Sequence, residues 1–129
     1  MKGNLLDTNV ILIAPEDPGR LSQVTQTAVL DGPNYLSVIS YWEVMLKSMK
    51  GHLIVGDPQN WWQDVLKELA AVPLLLHPQH IGALLALPPI HKDPFDRLLI
   101  SQATAEGLAL VTTGSEIPRY ASQDFQVIT

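Results

Sequence analysis

HKDPFDRLLISQATAEGLALVTT, residues 91–113, contains a helix start, an apolar helix, a stop and a strand in that order. Asp93 is a natural N-cap and Pro94 suits the first helical position. Asp96 stands where the carboxylate of a capping box would. The apolar spacing that follows predicts a helix from residue 94 to about 106, and Gly107 stops it. LALVTT then reads as a strand buried on both faces. A helix feeding such a strand points to βα units and a parallel sheet. The two aspartates either cap the helix and oppose the positive end of its dipole, or they serve a reaction.

The rest of the chain extends the pattern. Residues 4–6 read as a first strand, closed by Asp7-Thr8-Asn9 and followed by a short helix to about Ala14. PEDPG is a loop, and residues 21–30 form a helix stopped by DGPN. Residues 35–38 are a second strand. A helix over residues 40–50 carries Trp42, Met45, Leu46 and Met49 on one apolar face and ends at Gly51. Asp57-Pro58 starts a further helix with Trp61, Trp62, Val65, Leu66 and Leu69. Its spacing puts Trp62 in the core and Trp61 nearer an edge. VPLLLH is a third strand, residues 78–87 a short helix, 116–120 a loop or short helix, and FQVI a fifth strand. The expected fold class is α/β, with about five short parallel strands and helices on both faces. Such sheets place ligands outside the carboxyl ends of the strands, where strand order reverses.

Composition narrows the chemistry. A chain of 129 residues suits one domain, residues 1–129. The absence of cysteine removes disulfides, zinc–thiolate sites and thiol catalysis, and it fits a reducing compartment. Eight basic against thirteen acidic residues give a net charge of −5, which argues against a broad basic surface for nucleic acid. Asp7 and Asn9 interrupt the amino-terminal apolar run, so it does not read as a signal peptide. No apolar run approaches the roughly 18 residues of a membrane span. A cytoplasmic protein is expected.

Four acids stand near the expected carboxyl ends of strands: Asp7, Glu43, Asp93 and Asp96. Each has a local alternative. Asp7 serves as a turn or cap residue, Ser40 and Glu43 match the S-x-x-E capping box, and Glu43 pairs with Lys47 four residues on. If the first and fourth strands are neighbours, all four acids meet at one edge. Oxygen donors of that kind suit Mg²⁺ or Mn²⁺. Lys47 and Arg97 lie beside the acids, to neutralise them or to touch phosphate. His52, His77, His80 and His91 share no tight spacing and are not expected as ligands. A haloacid-dehalogenase-like phosphatase needs a second aspartate where Asn9 stands. A response-regulator receiver needs an acidic neighbour that Asp7 lacks.

LLDTNV, SYWEVMLK around Glu43, LPPIHKDPFDRLLISQA, and GLALVTT followed by Tyr120 together resemble PIN-domain proteins, most closely the VapC-type toxins of bacterial toxin–antitoxin modules. The resemblance spans nearly the whole chain. It implies an α/β/α sandwich and a Mg²⁺- or Mn²⁺-dependent endoribonuclease, commonly a homodimer held inactive by a cognate antitoxin, with RNA as substrate. Carried over by motif, the catalytic acids are Asp7, Glu43, Asp93 and Asp96, of which Asp7, Glu43 and Asp96 hold metal. One position departs from the pattern. Such proteins read VT-x-D after the fourth strand, with a tyrosine six residues beyond, and here Gly114 replaces that aspartate while Tyr120 keeps the spacing. Thr112, Ser115 or Glu116 then supply the missing donor, or water fills the coordination sphere, or the chain is a catalytically silent PIN domain that acts as a binding or regulatory module.

Overall fold

The computed structural model describes residues 3–53 and 55–129. In chain order the elements are β1 (Asn4–Leu6), α1 (Thr8–Ile13), α2 (Gln23–Asp31), β2 (Asn34–Ser37), α3 (Val38–Met49), α4 (Pro58–Glu68), β3 (Ala71–Leu74), α5 (Pro78–Gly82), α6 (Pro94–Glu106), β4 (Ala109–Val111) and β5 (Val127–Ile128). The strands form one sheet in the order β3-β2-β1-β4-β5, and all paired neighbours are parallel. Strand order therefore reverses between β1 and β4, the adjacency on which convergence of the acids depends.

Alternation along the strands divides the core into two layers. Leu5 and Leu110 point to one face, with Ile39, Leu99, Ile100 and Ala103. Leu6, Leu36 and Val111 point to the other, with Val10, Ile11, Trp62 and Val65. Helices cover both faces, giving an α/β/α sandwich. Burying a Leu99-sized side chain contributes about 2–5 kcal/mol, judged from the cost of truncating such residues.

The helix over residues 94–106 forms as expected. Asp93 Oδ1 accepts the backbone N–H groups of Phe95 at 2.9 Å and Asp96 at 3.4 Å. Gly107 closes the helix in the left-handed region at φ 66°, where a Cβ would be strained. Trp62 is buried and stacks on Tyr41 at 4.9 Å, while Trp61 is only partly covered.

Four expectations change. The helix after β2 starts at Val38, because Ser37 caps it by accepting the N–H of Ile39 at 3.0 Å. Ser40 thus lies inside the helix, and the proposed Ser40–Glu43 capping box does not form. That helix also turns its other side inward. Ile39, Ser40, Glu43 and Val44 are buried, whereas Trp42 is 52% and Met49 76% exposed. The cap fixes the helix phase, and in that phase Trp42 lies against the edge of Phe95 at 5.0 Å. The third, fourth and fifth strands are shorter than expected, Ala71–Leu74, Ala109–Val111 and Val127–Ile128. Residues 78–87 divide into α5 and a 3₁₀ turn, Ala83–Ala86, and the PEDPG segment runs into another, Pro18–Arg20.

Candidate metal centre

The carboxyl ends of β1 and β4 open into a cavity of about 320 Å³. Asp7, Glu43, Asp93 and Asp96 all line it, with Thr8, Lys47, Thr112, Gly114, Ser115 and Glu116. The fold therefore brings together every acid singled out in the sequence. Asp7 arrives directly after β1, Glu43 from the second turn of α3, and Asp93 and Asp96 from the start of α6.

Hydroxyls aim two of the acids. Asp7 Oδ1 accepts the Thr8 N–H at 2.7 Å, and its Oδ2 accepts the Thr112 hydroxyl at 2.7 Å. Thr8 Oγ1 lies 2.7 Å from Glu43 Oε1 and 2.9 Å from Ser40 Oγ. A hydroxyl carries one proton, so Ser40 donates to Thr8 and Thr8 donates to Glu43. Lys47 Nζ donates to Glu43 Oε2 at 2.9 Å. The sequence reading offered Thr112 as a replacement donor and Ser40 as a helix cap, and gave Thr8 no role; none of the three was expected to hold an acid in place. The one available signal was their position beside a strand end.

The remaining acids separate in role. Asp93 spends one oxygen on the helix cap. Asp96 is no cap: its carboxylate makes no bond to the Asp93 backbone among the described residues, and its Oδ2 lies 3.2 Å from His91 Nε2. Arg97, expected near the acids, turns away. Its Nη1 donates to the carbonyls of Pro88 at 3.0 Å and His91 at 3.4 Å, and to the Tyr120 hydroxyl at 3.2 Å. That hydroxyl also accepts the His91 N–H at 2.7 Å, so Tyr120 and Arg97 clamp the loop leading into α6.

Crowding leaves its mark on the acids. Burial pushes the Asp96 carboxyl up to about 6, helped by the charges of Asp7, Asp93 and Glu43 and opposed by His91. Burial also raises Asp7, against the bonds from Thr112 and Thr8. Five carboxylates, Glu116 among them, line the cavity with one lysine, and Asp93 and Asp96 each keep an oxygen that no protein donor engages among the described residues. Hard oxygen donors, excess negative charge and free lone pairs fit a divalent cation such as Mg²⁺ or Mn²⁺.

Gly114 occupies the cavity wall without an acid. Its N–H donates to Thr112 Oγ1 at 3.1 Å, fixing the hydroxyl that holds Asp7. A Cβ built there would meet nothing closer than Thr112 Oγ1 at 3.6 Å.

A model of the PIN domain matches residues 5–123. The chain belongs to the PIN-domain family. Solved structures similar to this PIN domain include VapBC2 from Rickettsia felis bound to a promoter DNA fragment. It has a TM-score of 0.70 and 16% identity, covering 98% of this chain and 97% of that one. DNA-bound VapBC from Salmonella typhimurium gives 0.69 and 18% over 98% and 97%. A toxin–antitoxin complex from Klebsiella pneumoniae gives 0.62 and 22% over 98% and 96%. At these identities the likeness is one of fold. Comparison with curated proteins returns no match. No helix of the described PIN domain is long and apolar enough to cross a membrane.

Proposed function

We propose that this protein is the toxin of a toxin–antitoxin module, a cytoplasmic endoribonuclease that depends on Mg²⁺ or Mn²⁺. The observation that carries the reading is the meeting of Asp7, Glu43, Asp93 and Asp96 in one cavity where strand order reverses. Membership of the PIN-domain family supports nuclease chemistry, and the named toxin–antitoxin complexes of the same fold support an antitoxin partner. The exposed apolar side of α3 supports a homodimer.

In this reading Asp7, Glu43 and Asp96 hold the ion. When bound, the ion supplies Lewis acidity toward a phosphodiester and a lowered pKa for water. The chain's own groups do the positioning. Thr112 and Thr8 fix Asp7, the Ser40–Thr8 relay fixes Glu43, and Asp93 keeps one oxygen free of the helix cap. Lys47, half-exposed at the cavity, offers an RNA phosphate a charged donor.

Cleavage of total RNA by the purified protein, with Mg²⁺, with Mn²⁺ and with EDTA, tests the reading. Asp7→Asn keeps the size of the side chain and an acceptor for Thr8, so it should abolish cleavage while leaving the melting transition in place. Full activity in EDTA or in Asp7→Asn would sink it. Gly114 favours a second reading, a silent PIN domain that serves only as a binding module. Metal binding without any RNA cleavage would select it.

A further inference from the structure

We propose that His91 is a ligand of the divalent ion through Nε2, and that a centre in which His91 and the free oxygen of Asp93 join Asp7, Glu43 and Asp96 selects imidazole-accepting ions such as Mn²⁺ and Co²⁺ over Mg²⁺. This inference rests on the reading that the cleft holds a divalent ion, and it adds a nitrogen donor that the motif resemblance does not assign.

One ligand atom from each of His91, Asp93 and Asp96 lies within 4.8 Å of the other two. Bonds of about 2.1 Å to a single ion span such a set after small side-chain rotations. The three residues come from one short segment, the loop before α6 and the first turn of α6. The backbone of His91 is held from both sides, its N–H on the Tyr120 hydroxyl at 2.7 Å and its carbonyl under Arg97 at 3.4 Å. The ring is left free of the clamp and lies between two carboxylates. Nε2 is 3.2 Å from Asp96 Oδ2, and Nδ1 is 4.0 Å from Glu116 Oε2.

That placement has a chemical consequence. With its proton on Nδ1, the side of the ring that faces Glu116 Oε2 at 4.0 Å, the imidazole presents the Nε2 lone pair on the side of Asp96. Gly114 supplies no carboxylate at its own position in the cavity wall, so a nitrogen donor from the loop before α6 raises the number of ligands without adding negative charge. Imidazole ranks first-row transition ions above Mg²⁺, and affinity rises from Mn²⁺ to Co²⁺.

The test uses the full chain stripped with EDTA. Mg²⁺, Mn²⁺ and Co²⁺ are titrated separately by calorimetry into wild type, His91→Gln, His91→Asn and Asp96→Asn. Wild type should bind Co²⁺ and Mn²⁺ more tightly than Mg²⁺. His91→Gln and His91→Asn should lose roughly tenfold or more toward Co²⁺, with a much smaller loss toward Mg²⁺. The visible Co²⁺ spectrum should change with the loss of nitrogen. Long-range ¹H–¹⁵N spectra of the four histidines supply a readout on wild type alone. With diamagnetic Zn²⁺, His91 should carry its proton on Nδ1 with Nε2 shifted as a ligand. Equal losses for every ion, no loss, or an Nε2–H tautomer retained with Zn²⁺ would overturn the proposal. Loss of all ions in Asp96→Asn alongside an indifferent His91 would leave the nuclease reading standing. Failure of every ion to bind wild type would remove both.

Discussion

At the scale of single residues, Asp96 and Gly114 carry the sharpest expectations. Asp96 contributes no cap, and its ionised form is opposed by burial and by three neighbouring carboxylates. Asp96→Asn should therefore melt higher than wild type without metal at neutral pH. The gain should be on the order of 3 kcal/mol at most, or several degrees. Added Mn²⁺ should raise wild type by about 2.7 kcal/mol at a hundredfold excess over Kd and do little for the variant. Thermal melts in EDTA and in Mn²⁺ check both statements; an unchanged melting temperature in all four conditions would show that Asp96 neither suffers repulsion nor binds metal. Gly114 is not in the left-handed region and has room for a side chain. Gly114→Asp should fold normally and tighten Mg²⁺ binding in a titration, since it adds an oxygen donor to the cavity wall. Unchanged Mg²⁺ affinity would mean that the new carboxylate does not reach the ion.

At the scale of elements, the start of α6 depends on two separate devices. Asp93 caps the helix, so Asp93→Ala should cost about 1 kcal/mol, while Asp93→Asn, which keeps the acceptor, should stay within a few tenths. Urea unfolding of both variants distinguishes capping from charge. The second device is the clamp on the loop before α6. Tyr120→Phe removes the hydroxyl that accepts the His91 N–H and the Arg97 guanidinium, leaving partly buried donors without a partner. A loss of roughly 1–3 kcal/mol is expected. Amide hydrogen exchange should quicken at residue 91 before it quickens in the core of α6. Loss of protection along the whole helix at once would show that the clamp holds the fold rather than the loop.

At the scale of the whole molecule, the clustered acids set the pH dependence. Asp96 ionises near 3.8 when free of its surroundings and near 6 in the folded protein. Below about pH 4 it is protonated in both states, and its contribution to stability is fully present. Between about 4 and 6 the folded protein keeps a proton that the unfolded chain has released, so stability falls as pH rises. Above 6 the contribution is lost. Asp7, also raised, acts with the same sign. Metal-free protein should thus show a stability that declines from pH 4 to 7, the reverse of a salt-bridged carboxylate. The stabilisation by Mn²⁺ should grow over the same range as the ligands ionise. Melts at half-unit pH steps, with EDTA and with Mn²⁺, would contradict this picture if the metal-free curve rose toward neutrality.

The sequence by itself determined what is local. The N-cap at Asp93, the left-handed stop at Gly107, the buried LALV strand and the division between Trp61 and Trp62 follow from spacing and from the conformational needs of individual residues. The alternation of strands and helices determined the parallel sheet, because parallel strands require crossovers. The acids were legible for the same reason: each stands at an expected element boundary. Only the tertiary structure decided how those local pieces act. Spacing put the cap of α3 at Ser40 and left Ser37 in the second strand, although a serine at either position can cap a helix. Packing at the carboxyl ends of the strands selects Ser37, sends Glu43 into the cleft and leaves Trp42 and Met49 outside. Arg97 sits one residue from Asp96 in the chain, yet successive helical residues point in different directions, so it clamps Tyr120 instead of the acids. His91 shares no spacing with another histidine. Its proximity to Asp96 and Glu116 arises from the folding of a loop between two elements, a distance in space that linear order does not encode.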